Sequence, residues 1–258
     1  MIVAGFDLSL VVPAFLAGAL VLSTHVPLGQ EVLKRGIIFI DLAIAQIAGL
    51  GVIAATVFGG ELAGWQVQLF AGLSAIAGAS FINWLEHHHT KSLEALIGLL
   101  FILAASGGLL LASYAPNSDE LLHDLLVGQI LWVSTEQLLW VAALYIPLLL
   151  IWFTMGDKQR PLVFYLVFAL AVTASVQIVG VYLVFASLIL PTLVSQHIKN
   201  PKRRLVTAYS VGIAGYISGL VASLVFDLPS GAVIVWGLCL SAFIIKLIVN
   251  KAENLLQS

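Results

Sequence analysis

Residues 161–198 read PLVFYLVFALAVTASVQIVGVYLVFASLILPTLVSQHI and contain no Asp, Glu, Lys or Arg. This run is nearly twice the roughly 20 residues that one membrane-spanning helix requires. Arg160 precedes it and Lys199 follows it. If both flanks lie on the same side of a membrane, the run crosses twice, and the turn is predicted at residues 177–180, where a glycine permits tight geometry. The alternative is a pair of segments that enters the membrane and returns without crossing fully.

The composition of the whole chain also points to lipid as the solvent. Of the 258 residues, 61% are hydrophobic and only 9% are charged, whereas soluble domains carry about 25% charged residues. The mean hydropathy is +1.09. These values exclude a soluble enzyme, a nucleic-acid-binding protein and a disordered chain. The single cysteine, Cys239, excludes a disulfide framework and a paired-cysteine zinc motif.

Seven further apolar runs each have the length of one membrane helix. They cover residues 8–30, 36–60, 62–85, 95–118, 137–156, 205–226 and 228–245. Together with two passes in 161–198, they predict an all-α, polytopic transmembrane helical bundle of about nine spans. No segment has the composition of a soluble module, so residues 1–258 are predicted to form a single transmembrane domain.

The distribution of basic residues predicts the orientation of the bundle. All eleven Lys and Arg residues fall in alternate connections, and the remaining connections, such as those at Glu61 and Asp227, contain none. Because cytoplasmic loops are enriched in Lys and Arg, we expect the N-terminus outside and the C-terminus in the cytoplasm.

Asp41 is the only acidic residue well inside a predicted span. A carboxylate at that depth is costly and usually faces a cavity or a partner, which makes Asp41 a candidate for a translocation pathway and for metal binding. Gln46 is the next polar residue and lies about 140° round the helix, so both could line a wide cavity. The alternative for Asp41 is an ion pair with Arg35 or a cap on a neighbouring helix end.

Histidines provide a second set of candidates. His25 near the end of the first span is a possible metal ligand, because imidazole binds several transition metals, or a local hydrogen-bonding group. His87, His88 and His89 are contiguous, a spacing that does not build a closed metal site, so a solvated loop is expected. No nucleotide-binding or hydrolase motif is present. The chain is therefore not predicted to be an enzyme, and any nucleotide energy would come from another chain.

Four stretches together resemble the permease subunits of metal-type ABC importers, the zinc and manganese uptake family. They occur in the family's order and span most of the chain. They are Pro27-Leu28-Gly29 with Lys34-Arg35-Gly36 and Asp41; Leu126-Val127-Gly128-Gln129-Ile130-Leu131, similar to the family's Leu-Phe-Gly-Asp-Ile-Leu; residues 179–191, VGVYLVFASLILP; and residues 226–231, FDLPSG.

The resemblance implies a permease that provides the translocation pathway for a divalent metal ion, zinc, manganese or iron, in a bacterial inner membrane. It implies eight or nine helices in a homodimer or paired permease and no permanently bound cofactor. Its partners would be a cytoplasmic ATPase subunit that hydrolyses ATP and an extracytoplasmic metal-binding protein. The third stretch adds Ser187 and Pro191 to the pathway candidates.

The sequence departs from the family in two places. The histidine that usually follows the aspartate by four residues is replaced by Ala45, or by Gln46 if one residue is inserted, and a second family histidine is absent from residues 101–105. The cytoplasmic docking segment is reduced to residues 155–160. A substitute contact for the ATPase is predicted in residues 197–204, at Lys202, Arg203 and Arg204. The alternative function is a stand-alone metal or small-cation carrier or channel on the same fold, without an ATPase.

Overall fold

The structure, a computed structural model, describes residues 8–59, 64–88, 92–114, 126, 128–154 and 161–257. Within these ranges it contains nine α-helices, one short 3-10 helix at Ile130–Trp132 and no strands. The α-helices are α1 (Leu8–Arg35), α2 (Ile40–Gly59), α3 (Gly64–His88), α4 (Leu93–Ala112), α5 (Thr135–Thr154), α6 (Pro161–Val179), α7 (Val181–Ser195), α8 (Pro201–Phe226) and α9 (Ser230–Gln257). The predicted all-α transmembrane bundle is confirmed.

Eight of these helices are long and apolar enough to cross a membrane. The exception is α7, whose 15 residues extend about 22 Å, short of the roughly 30 Å hydrocarbon core. The break between α6 and α7 falls at Gly180, inside the predicted turn, with a φ of +78°. The 161–198 run therefore folds as two helices, of which the second is a short one.

Helix α6 lies at the centre of the bundle. It packs against α1, α2, α3, α5 and α7, and most of its side chains are buried, including Phe164 and Phe168. In α5, by contrast, Tyr145 and Leu148 are the only buried residues, so α5 lies at the periphery. Helices α8 and α9 pack closely at Gly219, because glycine has no Cβ atom there; an added Cβ would overlap the backbone of Ile234.

The basic helix ends that the structure describes gather at one end of the bundle, called here the basic end. Arg35 at the C-terminus of α1 contacts Glu86 at the end of α3 and Phe164 at the start of α6. Lys34 lines the same cavity as Arg204 in the first turn of α8. This grouping agrees with the alternation of basic connections, and the side of the membrane that the basic end faces stays a prediction.

At the opposite end, two of the recognisable stretches meet. Gly128 has a φ of +70°, and a Cβ atom there would overlap the backbone of Val179 and Gly180. The second stretch thus packs directly on the break between α6 and α7. Beside this contact lies a cavity of about 180 Å³ lined by Gln129, Trp132, Val133, Gln137, Gln177 and Ile178.

A cysteine at Gln177 should react with a membrane-impermeant maleimide added from outside the cell, because Gln177 lines the cavity at the predicted extracytoplasmic end. The native Cys239 is exposed on α9, so the experiment needs a Cys239→Ser background. Protection from outside combined with labelling from the cytoplasmic side would contradict the predicted orientation of the α6–α7 turn.

Candidate functional site

Asp41 is the second residue of α2 and is almost completely buried, with 1% of its surface exposed. Neither carboxylate oxygen accepts a hydrogen bond from a side chain or forms an ion pair with the described residues, and the donors that interact with the carboxylate are the backbone amides of Asp41 and Leu42 at the start of α2. The first turn of a helix favours a negative charge, but a buried carboxylate without a counter-charge is costly. The side chain is therefore available to a ligand that brings positive charge.

The expected alternative, an ion pair between Asp41 and Arg35, is not what the structure shows. The Arg35 Nε donates to Glu31 at 2.9 Å and its Nη1 donates to Glu86 at 3.2 Å. Its guanidinium also lies 4.5 Å from the centre of the Phe164 ring. The Arg35 guanidinium is thus paired at the junction of α1, α3 and α6. It does not provide a counter-charge for Asp41.

A second carboxylate, which the sequence reading missed, lies near Asp41. Glu94 in the first turn of α4 accepts a hydrogen bond from the Phe39 amide at 3.1 Å, and it is close enough to interact electrostatically with Asp41. Its other oxygen is buried without a partner among the described residues. The packing of α2 on α4 creates this pair, whereas the sequence shows only an acidic residue at the start of an apolar run.

The residues that follow Asp41 in α2 are less suited to binding a metal ion. Ala45, at the family's histidine position, is buried with 4% of its surface exposed, and it offers no ligand atom. Gln46 is partly buried and lies about 140° round the helix from Asp41. The pathway role of Gln46 stays a prediction.

Ser187 and Pro191 lie on one face of α7, in the interior of the bundle. Ser187 is fully buried, donates to the Leu183 carbonyl at 2.6 Å and shares a 2.9 Å hydrogen bond with the Tyr216 hydroxyl of α8. Pro191 has no N–H to donate to the carbonyl four residues earlier, which is that of Ser187. The two residues therefore loosen the middle of α7 while a side-chain hydrogen bond ties it to α8.

His25 belongs to a neighbouring polar cluster inside the bundle. Its Nδ1 lies 2.9 Å from the Val21 carbonyl, and its Nε2 has no partner among the described residues. Adjacent Thr24 lies within reach of Tyr145, whose hydroxyl donates to the Ala171 carbonyl at 3.0 Å. The hydroxyl is the single polar atom of each otherwise apolar tyrosine side chain. The sequence alone therefore did not mark Tyr145 and Tyr216 as candidates.

The structure does not bring His25 and Asp41 to the same depth. His25 lies ten residues, about 15 Å, before the C-terminal end of α1, whereas Asp41 follows the short turn at that end. Within the described ranges, no group of three or more His, Cys, Asp or Glu side chains could hold a metal ion. Asp41 and His25 are thus separate candidates rather than two ligands of one preformed site.

The three residues predicted to contact the ATPase, Lys202, Arg203 and Arg204, lie in two different environments. Asn200 caps α8 by accepting hydrogen bonds from the amides of Lys202 and Arg203 at 3.0 and 3.2 Å, and both side chains are exposed. Arg204 is partly buried and lines a cavity between α1, α7 and α8. Residues 155–160, the shortened connection, lie outside the described residues.

Comparison with known proteins identifies the family. The model of the family described as "ABC 3 transport family" matches residues 7–159 and 158–250. The chain belongs to the ABC 3 transport family. Membership explains the long apolar helices, and it makes this a multi-pass membrane protein of a transport family.

Several relatives align over most of the chain. The manganese transport system membrane protein MntC of Listeria monocytogenes is 26% identical, with 92% of each chain covered. MntC of Listeria innocua is 28% identical over 70% of each chain. Among solved structures, PsaBC from Streptococcus pneumoniae in complex with Fab superposes with a TM-score of 0.72 at 20% identity, covering 93% of this chain and 91% of that one. This similarity establishes a shared fold.

Proposed function

We propose that the chain is the membrane permease of an ABC-type importer of a divalent metal ion, and that manganese is its first candidate cargo. The observation that carries the proposal is the ABC 3 family match across the length of the bundle. The MntC relatives add manganese as the cargo named for similar proteins. Residues 1–258 would act as one permease domain, with the metal as a transported ion and no permanently bound cofactor.

The available ligand atoms favour manganese over zinc. Asp41 and Glu94 present carboxylate oxygens, and Ala45 and the 101–105 segment lack the family's imidazoles. Carboxylate oxygen suits manganese, whereas zinc prefers nitrogen and sulfur ligands. We propose that Asp41 binds the metal near the basic end of the pathway and that Glu94 contributes the second charge.

The ABC 3 family match supports ATPase and metal-binding partners, and we propose the rest of the assembly with them. A cytoplasmic ATPase subunit would hydrolyse ATP, an extracytoplasmic metal-binding protein would deliver the ion, and two permease copies would form a homodimer in the bacterial inner membrane. The positive-inside rule favours a cytoplasmic position for the basic end, where the α7–α8 connection would meet the ATPase. Asn200 holds the start of α8 in a defined geometry, as a coupling surface requires.

Cellular metal content tests the proposed function. Cells that produce the protein should accumulate more manganese than cells that lack it, and the excess should disappear when the partner ATPase is inactivated. Zinc measured in the same cells should change less, because Asp41 and Glu94 supply only oxygen ligands. Unchanged manganese in both strains would contradict the cargo, and ATPase-independent uptake would favour the stand-alone carrier.

Charge reversal at Lys202 and Arg203 should abolish co-purification of the ATPase while the protein stays in the membrane. Both side chains are exposed at the capped start of α8, and reversed charges would repel an acidic partner surface. Because these residues could instead anchor topology through the positive-inside effect, orientation must be measured on the same variant. Inverted orientation would support anchoring, and correct orientation with a lost partner would support docking.

A further inference from the structure

The basic end contains a cavity of about 190 Å³ between α1, α7 and α8 whose lining includes neither Asp41 nor Glu94. Its lining residues are Gln30, Leu33, Lys34, Thr192, Gln196 and Arg204. Helices α1 and α7 are closely packed beside the cavity: a Cβ atom added at Gly29 would overlap the Leu188 carbonyl oxygen of α7. The cavity is therefore a defined feature of the helix packing.

Hydrogen-bond donors dominate this cavity. Gln30 Nε2 and Arg204 Nε are buried and have no hydrogen-bond partner among the described residues. Lys34 adds a second positive charge; its side chain is 76% exposed, and its ion pair within the described residues is a 3.6 Å contact with Glu31. None of the lining residues is acidic. The two unpaired donors and the charge of Arg204, with Lys34 at the rim, favour an anion in this cavity.

The N-terminus of α8 does not supply this site. Asn200 already accepts hydrogen bonds from the amides of Lys202 and Arg203, and the Arg204 amide donates to the Asn200 carbonyl at 2.9 Å. The anion would thus be held by side chains from α1 and α8, with Gln196 after the end of α7 completing the wall.

We propose that this cavity binds a phosphate group. Phosphate offers oxygens in a tetrahedral arrangement, so it can accept from donors on separate helices, whereas the acceptor sites of a carboxylate lie in one plane. The guanidinium of Arg204 matches phosphate geometry, and Lys34 supplies a mobile point charge. Phosphate binding in this cavity does not depend on the identity of the transported ion.

Two sources of phosphate fit the position of the cavity. The basic end lies where phospholipid headgroups are expected, and the exposed apolar side chains of Leu193 and Val206 follow Thr192 and Arg204 closely in sequence, where they could contact acyl chains. Free inorganic phosphate shares the same recognition chemistry. The two sources differ in whether binding requires acyl chains.

Binding to the purified full-length protein tests the proposal. Native mass spectrometry should show retention of phosphatidylglycerol over phosphatidylcholine, and inorganic phosphate should raise the temperature of thermal unfolding. Arg204→Gln and Lys34→Gln should each lower the affinity for phosphatidylglycerol and for inorganic phosphate by about tenfold, because each removes one charged donor. Arg203→Gln is the matched control, since it removes an adjacent but exposed charge that does not line the cavity.

The outcomes separate the sources and can overturn the proposal. A response to both probes supports recognition of the phosphate group itself, lipid alone identifies the headgroup as the source, and inorganic phosphate alone identifies free phosphate. No response to either probe by the unmodified protein, or an equal loss in Arg203→Gln and Arg204→Gln, would overturn the site. If Arg204→Gln fails to fold, Lys34→Gln decides alone, because Lys34 is mostly exposed.

Discussion

Replacing Asp41 with Asn should lower metal uptake by at least roughly 10- to 100-fold, the loss seen when even a partner of a metal ligand is removed. The substitution keeps the shape of the side chain and removes its charge. The carboxylate forms no side-chain hydrogen bond or ion pair with the described residues, and an Asn oxygen can still accept from the backbone amides of residues 41 and 42, so little structural stabilisation is lost. The measurement is manganese uptake in cells, normalised to the amount of protein in the membrane.

Two further variants control this experiment. Asp227→Asn makes the same chemical change at an exposed residue at the other end of the bundle, where the left-handed backbone, with φ of 52°, suits Asn, and uptake should be retained. Glu94→Gln should give a smaller loss than Asp41→Asn, because an amide oxygen can still accept from the Phe39 amide. Normal uptake by Asp41→Asn would return Asp41 to a structural role.

Replacing Gly128 with Ala should destabilise the protein by more than about 3 kcal/mol, because two costs combine. The residue has a φ of +70°, which L-residues with a Cβ atom rarely adopt, and the added Cβ would overlap the backbone of Val179 and Gly180. Backbone atoms cannot rotate away as a flexible side chain can. The yield of folded protein and its thermal unfolding temperature in detergent measure the effect.

Other glycines separate these two costs. Gly36 also has a φ of +70° but nothing lies within 4 Å of an added Cβ, so Gly36→Ala should cost only about 1–2 kcal/mol. Gly98 in α4 has neither feature, and Gly98→Ala should stabilise the helix by up to about 1 kcal/mol. If Gly128→Ala were as mild as Gly36→Ala, the close approach to Gly180 would not be essential.

The sequence alone was sufficient to predict the lipid environment, the fold class and most helix positions. These properties depend on local composition, because a bilayer requires long apolar helices with few charges. The break near Gly180 was predictable for the same reason, since an uncharged run of that length must turn and glycine permits the turn. The four recognisable stretches were also sufficient to predict the family that the family match confirmed.

Only the tertiary structure decided which polar groups meet. Glu94 approaches Asp41, and Arg35 pairs with Glu86 across 51 positions of sequence, because helices far apart in the chain pack side by side. The length of α7 and the contact of Gly128 with Gly180 likewise follow from packing. Apolar patterning specifies that a helix is buried in lipid or protein, but it carries no information about which neighbour the helix contacts, so a polar residue's partner emerges only when the bundle is assembled.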